Sequence, residues 1–403
     1  MFTEERRNQI LAWLDEQERV TVNGLASALG VTKETIRTDL NTLARQGLIQ
    51  RCHGGAIIIR RNMQARLISE TGGDFEVLLQ RLEGRRQQRP VQPRGKKMRG
   101  KVCILGSFNV DIVARVARFP KGGESLLASG STLGPGGKGA NQAMAASRAG
   151  ARVHFVSKVG TDQFSQFAFD HLSASDIHSF KLYQTADEPT GSAIIYVSQE
   201  NGENMIAIYS GANKTLTEGE IAEMTPELSQ SDVLLVQLEN NFSATLNAIK
   251  LAHTLGVRVI MNPAPFSNDV LACLEYIDVI TPNETEASLL SGVEVVDVDS
   301  AREAALAIVR LGAKRVIITM GSRGALICED QQFQHIPAFP AVSVDTTGAG
   351  DAFNGAFAAA LAAGESITQA ATRASAFASL AVEREGASNM PDREQVAARL
   401  NQR

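Results

Sequence analysis

The stretch "DTTGAGDAFNG", Asp345–Gly355, sets three glycines and two acids at the mouth of the apolar run "AFAAALAAG". A glycine turn entering a helix presents unpaired backbone N–H groups, and the helix dipole adds positive potential there. Gly348, Ala349 and Gly350 let the backbone close on an anion without a bulky side chain in the way. Asp351, at the helix start, is placed either to cap the helix or, beside a phosphate, to accept the proton of an attacking hydroxyl. The motif alone does not separate these two readings. Four further groups carry compatible chemistry. "GPGGKGANQAMAASRAG" is a second glycine loop entering a helix, with Lys138 and Asn141. "GSFNVD" sets Asn109 and Asp111 just after the first strand-like run of the body. "QLE" ends another such run with Glu239, and "PNETE" ends a third with Asn283 and Glu286. Singly, Glu239 is equally a solvated strand end, and Asn283 with Glu286 a helix-start capping pair. All five together exceed what structural punctuation explains.

The elements that must hold these residues follow from periodicity. From "KVCILGSFNVDIV" onward, short Val- and Ile-rich runs alternate with helical stretches such as "ANQAMAASRAG" and "SATLNAIKLAHTLG". That alternation predicts an α/β fold, a doubly wound parallel sheet with helices on both faces and ligands at the carboxyl ends of its strands. "GSAIIYVSQENGENMIAIYSGAN" predicts an antiparallel hairpin turning at Asn201-Gly202. "ESLLASGSTLGPGG" could extend the same small sheet, which is either a lid over the site or an ordinary edge hairpin.

The front of the chain differs in charge. Residues 1–101 carry 19 Lys and Arg against 11 Asp and Glu, a net +8, whereas 102–403 carry 21 against 33, a net −12. A basic front on an acidic body points to a polyanionic partner for the front alone. Residues 4–15 predict an amphipathic helix with Ile10, Leu11 and Leu14 on one side. Val22, Leu25 and Leu29 mark a second helix that Gly30 ends, and Thr32 or a neighbour starts a third with Ile36, Leu40 and Leu43 inward. "LIQRCHGGAIII" then reads as a winged hairpin. This is a winged helix-turn-helix layout. A short helix is possible in "GDFEVLLQRLEGRR", while "RRQQRPVQPRGKKMRGK" is basic, rich in proline and glycine, and reads as linker. No run reaches the roughly 18 apolar residues that span a bilayer. The four cysteines, Cys52, Cys103, Cys273 and Cys328, are scattered, which with the absence of a secretory layout predicts a cytoplasmic location.

Two resemblances sharpen these readings. "TIRTDL" and "GLIQRCHGGA", within residues 4–58, resemble the DNA-binding domain of the DeoR family of bacterial repressors. The resemblance implies a double-stranded DNA operator, with Thr35 and Arg37 in the major groove and Lys33, Arg51 and His53 near phosphate or the wing. "GGKGANQA" and "DTTGAGDAFNG", with the body as a whole, resemble the PfkB, or ribokinase-like, family of carbohydrate kinases. The organisation implied is a DNA-binding domain at 1–60, a basic linker at 61–99 and a sugar kinase domain at 100–403. The resemblance assigns Asn109, Asp111, Gly137, Lys138, Asn141, Glu239 and Asp351 to the sugar. "GSFNVD" keeps the Asn-x-Asp pair of ribose-specific members, whereas deoxyribose-specific members tend to vary at that Asn. Asp351 is the implied base and Gly348, Ala349 and Gly350 the anion hole. Asn283, Thr319, Gly321, Ser322 and Gly324 fall on the ATP side, with Glu286 acting on Mg²⁺ through water. K⁺ is implied beside Asp345 and Thr347, with Ala381, Arg384 and Gly386 opposite and Ser388 or Asn389 as the last ligand.

The activity expected is ATP-dependent phosphorylation of a pentose, foremost D-ribose to D-ribose 5-phosphate, by a homodimer that is also a transcriptional regulator. The competing expectations are a regulator whose kinase domain only senses sugar or nucleotide, and a kinase for 2-deoxyribose, another sugar or a nucleoside. A kinase whose winged helix has lost its operator is a third.

Overall fold

A computed structural model describes residues 3–17, 19–52, 54–59, 74–87, 100–200 and 203–402. The chain divides into two compact units. One comprises Met1–Arg94 with Ala222–Glu227, the other Gly95–Ile221 with Leu228–Arg403. The grouping of Ala222–Glu227 with the first unit has no counterpart in the sequence patterns.

In the first unit, helix Thr3–Gln17 leads to strand β1 (Arg19–Thr21) and helix Val22–Leu29. Gly30, with φ 64°, closes that helix, its N–H bonded to the Ala26 carbonyl. Thr32 caps helix Lys33–Arg45 by accepting the Thr35 N–H at 3.2 Å. Strands β2 (Ile49–Cys52) and β3 (Gly55–Ile58) then form the hairpin, and β1 joins it on the β3 side, so the wing has three antiparallel strands. Ile10, Leu14, Leu25, Ile36, Leu40 and Leu43 make one buried cluster. This is the inward stripe expected from the spacing, except that Leu29 is only partly buried. Helix Phe75–Gln87 buries Phe75, Leu78 and Leu79. The basic residues 88–99 and the Asn201-Gly202 turn lie outside the described residues.

The second unit contains two sheets. In chain order its strands are β4 (Lys101–Leu105), β5 (Asn109–Val116), β6 (Gly130–Gly136), β7 (Arg152–Val159), β8 (Ser179–Gln184), β9 (Ser192–Ser198) and β10 (Asn204–Tyr209). They continue with β11 (Val233–Val236), β12 (Arg258–Met261), β13 (Val279–Ile280), β14 (Arg315–Thr319), β15 (Ala325–Glu329) and β16 (Gln332–Ile336). The large sheet has nine strands in the order β16-β15-β14-β13-β12-β11-β4-β7-β8. It is parallel from β14 to β8, and β15 and β16 are antiparallel additions at one edge. The four-stranded sheet, in the order β10-β9-β5-β6, contains the expected hairpin as β9 and β10. Every residue of β10 is exposed.

Helix Lys138–Arg148 and helix Ala349–Ala363 carry the two glycine loops and pack on each other. Both are alanine-rich, and at Gly355 a Cβ would collide with the Gln142 carbonyl and the Ala145 methyl group. Asp351 through Ala362 are buried without interruption. That continuous burial is why "AFAAALAAG" shows no polar face in the sequence.

Candidate active site

Gly348 is the N-cap of helix Ala349–Ala363 and sits at φ 77°, a backbone state that favours glycine. A Cβ there would come within 2.8 Å of Ala387, so the loop after helix Ile367–Ala381 lies directly against the turn. Asp351 does not cap its own helix. Its buried carboxylate reaches the facing helix, accepting from Asn141 Nδ2 at 3.1 Å on Oδ2 and from Gln142 Nε2 at 3.0 Å on Oδ1. Gly348, not Asp351, therefore stands at the cap position. A cavity of about 170 Å³ opens before the turn, lined by Gly348, Ala349, Gly350 and Asp351, and by Lys138, Asn283, Glu286 and Thr319 across from them.

Charges in this cavity oppose burial. Burial pushes Asp351 upward from the usual carboxylate range, with Glu239 adding to the push. Lys138 and the amides of Gln142 and Asn141 pull back without cancelling it. For Lys138, burial works against the ammonium, but Asp351, Glu239 and Glu286 outweigh it and leave its pKa raised. Glu286 is raised chiefly by burial. Lys138 keeps its charge in this cleft and is the cation among its lining residues, the group there that can attract phosphate.

The polar set on the other side of Lys138 is built from the four-stranded sheet. Asn109 and Asp111 open β5, paired across β6 with Gly136 and Gly134. Asn109 is buried, and its Oδ1 accepts from Asn213 Nδ2 at 2.8 Å, which leaves Asn109 Nδ2 as the donor. Asn213 also closes on the backbone of Phe108, bonding both its N–H and its carbonyl at 3.1 Å. Burial, then Glu239, pushes Asp111 up to about 6. Glu239 lies three residues past β11 rather than at its end. One of its oxygens accepts from the Lys138 N–H at 2.9 Å and from the Ser107 hydroxyl. Glu239 is therefore no idle strand end, since it pins the second glycine loop. Gly137, at φ 90°, lets that loop pass against Ser107 and Phe108. Among the described residues, Asn141 Oδ1 is buried without a hydrogen-bond partner, an acceptor suited to a ligand hydroxyl.

On the opposite side, Asn283 and Glu286 form a reciprocal capping box: Asn283 Oδ1 accepts the Glu286 N–H at 2.8 Å and Glu286 Oε2 the Asn283 N–H at 2.9 Å. They cap a helix and also line the cavity. Thr319 bridges to Asn283, and Gly321, Ser322 and Gly324 form the turn beyond it without lining the cavity. Asp345 accepts the N–H of Thr347 at 2.8 Å and of Gly386 at 3.0 Å. Burial opposes its charge, but these bonds and Arg115 hold the carboxyl below the usual range. The loop from Ala381 folds back on itself. The Ala381 carbonyl accepts the Arg384 N–H and the Gly386 carbonyl the Asn389 N–H, both at 3.1 Å.

In the first unit, Lys33, Arg37 and Thr38 are exposed on helix Lys33–Arg45, and Thr35 is half-buried with its hydroxyl on that of Thr32. Arg51, on β2, donates to the Arg37 carbonyl at 3.4 Å. His53 lies outside the described residues. The role of Asp39 in "TIRTDL" is not visible in the sequence: it is buried and accepts from Arg6 Nε at 2.6 Å and Arg7 Nε at 2.9 Å. Gln142 and Asn213 are likewise residues that the motif reading passes over. For Gln142 the available signal is its place beside Asn141, one position further round the same helix.

Residues 99–394 match the pfkB family carbohydrate kinase, and residues 6–62 the DeoR-like helix-turn-helix domain. The chain belongs to the pfkB family of carbohydrate kinases. It is 39% identical over 299 residues to a ribokinase of Haemophilus influenzae, an alignment covering 74% of this chain and 97% of that protein. It is 36% identical over 298 residues to a deoxyribokinase of Salmonella typhi, covering 73% and 96%. Among solved structures, the ribokinase of Arabidopsis thaliana complexed with ribose and ATP aligns with a TM-score of 0.67 at 31% identity, covering 75% and 99%.

For a carbohydrate kinase the donor set is appropriate. The N–H groups at Gly348–Asp351 and the Lys138 ammonium suit the phosphates of ATP. Glu286, buried in the cavity, suits Mg²⁺ held through water, and among the described residues no cluster of three His, Cys, Asp or Glu side chains could cage a metal directly. Asp345, held below the usual carboxylate range, keeps the negative charge that a monovalent cation would need. No helix among the described residues is long and apolar enough to cross a membrane.

Proposed function

We propose that this chain transfers the γ-phosphoryl group of ATP to the primary hydroxyl of a pentose, D-ribose becoming D-ribose 5-phosphate. The observation that carries the reading is the Asp351 carboxylate, buried and held by two amides where the glycine loop of Lys138 meets the N-terminus of helix Ala349–Ala363. Asn109 Nδ2 donates to one sugar hydroxyl while Asp111 and Asn141 Oδ1 accept from others. Asp351 accepts the proton of the C5 hydroxyl as its oxygen bonds to the γ-phosphorus and the bond to ADP breaks. The N–H groups of Gly348–Asp351 and Lys138 hold the charge on the transferring group. Glu286 would hold Mg²⁺ through water, which would supply charge neutralisation on the phosphates, and Asp345, Thr347, Ala381, Arg384 and Gly386 would hold K⁺, which would supply positive charge near the turn that forms the anion hole. The nucleotide base lies toward Asn283, Thr319, Gly321, Ser322 and Gly324. Retention of the Asn-x-Asp pair favours ribose over 2-deoxyribose.

Residues 1–60 bind a duplex operator through Thr35 and Arg37, with Lys33, Arg51 and His53 on the backbone, 61–99 link them to the kinase at 100–403, and the protein acts in the cytoplasm. The exposed Ile194, Tyr196, Ile206 and Ile208 on β9 and β10 favour a homodimer through the lid sheet, and a monomer by sedimentation at micromolar concentration would refute that.

The test is ADP release with Mg²⁺ and K⁺ across D-ribose, 2-deoxy-D-ribose, fructose and nucleosides. Ribose should turn over fastest, Na⁺ in place of K⁺ should slow it, and Asp351→Asn should lower kcat by about 10³-fold. Near-normal turnover in Asp351→Asn would remove the base. In parallel, Arg37→Ala should weaken binding to duplexes selected from a random pool and leave turnover unchanged; loss of both would indicate folding damage instead.

A further inference from the structure

We propose that Gln142 is a positioning residue of the phosphoryl transfer, fixing the Asp351 carboxylate in the direction from which it accepts the substrate proton. The inference rests on the reading of Asp351 as the base. Gln142 is fully buried on helix Lys138–Arg148. Its Oε1 accepts from Gln237 Nε2 at 2.6 Å. Its Nε2 donates both to Asp351 Oδ1 and to Asn262 Oδ1, each at 3.0 Å. Asn262 Nδ2 in turn donates to the Thr281 carbonyl at 3.3 Å.

These bonds leave one orientation for the glutamine. Flipping its amide would place an oxygen against two oxygens and an NH₂ against the Gln237 donor, in a site with no water-exposed alternative. Gln237 follows β11 and Asn262 follows β12, so two adjacent strands of the large sheet set the amide, and the amide sets the carboxylate. Asn141, the other donor to Asp351, is not fixed in this way: its own Oδ1 has no partner among the described residues. Gln237 Oε1 is likewise without a partner among the described residues, so the direction of the Gln142 amide rests on its two acceptors, Asp351 Oδ1 and Asn262 Oδ1. The charged groups acting on Asp351 are Lys138 at the second glycine loop, Glu239 past β11 and Glu286 on helix Glu284–Ser291. None of them is hydrogen-bonded to its oxygens, so direction comes from the amides alone.

The test compares wild type, Gln142→Met, Gln237→Met and the double variant by kcat and KM against pH. Gln142→Met should lower kcat about tenfold at pH 7 and move its acid limb up by about one unit, because a donor to the ionised carboxylate is lost. KM for sugar and ATP should stay within about twofold. Gln237→Met should shift the limb in the same direction by less, and the double variant should be no worse than Gln142→Met, as expected for residues in one chain. An unmoved limb with near-normal kcat in Gln142→Met overturns the proposal. If that variant does not melt cooperatively, an unmoved limb in Gln237→Met overturns it alone. Turnover surviving in Asp351→Asn would sink the base assignment itself; an inactive Asp351→Asn beside unaltered glutamine variants would sink only the role of Gln142.

Discussion

Asp39 offers a test of how the first unit is held together. The carboxylate is 1% exposed and each oxygen serves a different arginine: Oδ2 takes Arg6, itself 8% exposed, and Oδ1 takes Arg7. Asp39→Ala leaves the Arg6 guanidinium buried without its counter-charge, and breaking a buried pair in this way costs about 3–5 kcal/mol. A unit of roughly 100 residues has only about 5–15 kcal/mol to lose. Asp39→Asn should help little, because either orientation of its amide turns an NH₂ toward one of the two arginines. At about 4–8 °C per kcal/mol, the melting transition of this unit should fall by at least about 12 °C in either variant. Circular dichroism and calorimetry on the full chain would follow it, with duplex binding by anisotropy and ADP release as separate readouts. Duplex binding should fall and sugar phosphorylation persist. A transition within about 2 °C of wild type would refute the reasoning and make the Asp39 bonds incidental.

Two further outcomes concern the sugar. Asp111 is raised to about 6 by burial and then by Glu239, so it is anionic above that pH and protonated below it. KM for the sugar should therefore rise as pH falls through 6, by about fivefold between 6 and 5, and Asp111→Asn should flatten that rise; an equal rise in the variant would assign it elsewhere. Asn213→Ala releases the Asn109 amide and should raise KM for the sugar about tenfold while KM for ATP stays unchanged, measured by initial rates. A matched rise in both constants would mean that the backbone at Phe108, which Asn213 also holds, and not the amide, was damaged.

Much of the kinase site is local, and for that reason legible. A glycine turn and the helix it feeds are neighbours in the chain, so Gly348–Asp351 and Gly137–Asn141 can be read in sequence, as can the Gly30 and Thr32 caps. The choice between cap and base at Asp351 is not local. It depends on amides of another helix, and Asn141 lies 210 positions away. Gln142 takes its orientation from Gln237, 95 positions on, and Asn213 reaches back 104 positions to Asn109. Asp39 meets Arg6 across 33. No periodicity reports such pairings, because amides and single charges inside helical patterns look the same whether solvated or buried. Strand β1 escapes for another reason: three residues are too few to show alternation.

The contact at Gly355 sets what can and cannot rearrange during turnover. Where the backbones of helices Lys138–Arg148 and Ala349–Ala363 meet with no room for a methyl group, neither can slide or tilt without a clash. Lys138, Asn141 and the Gly348–Asp351 turn thus ride on a single chassis, and the spacing between the two glycine loops is machined into it. On the function proposed above, adjustment to the incoming sugar would fall to β5, whose first residues carry Asn109 and Asp111. Evolution toward a new sugar would then retune that strand while the two glycine loops keep their alignment.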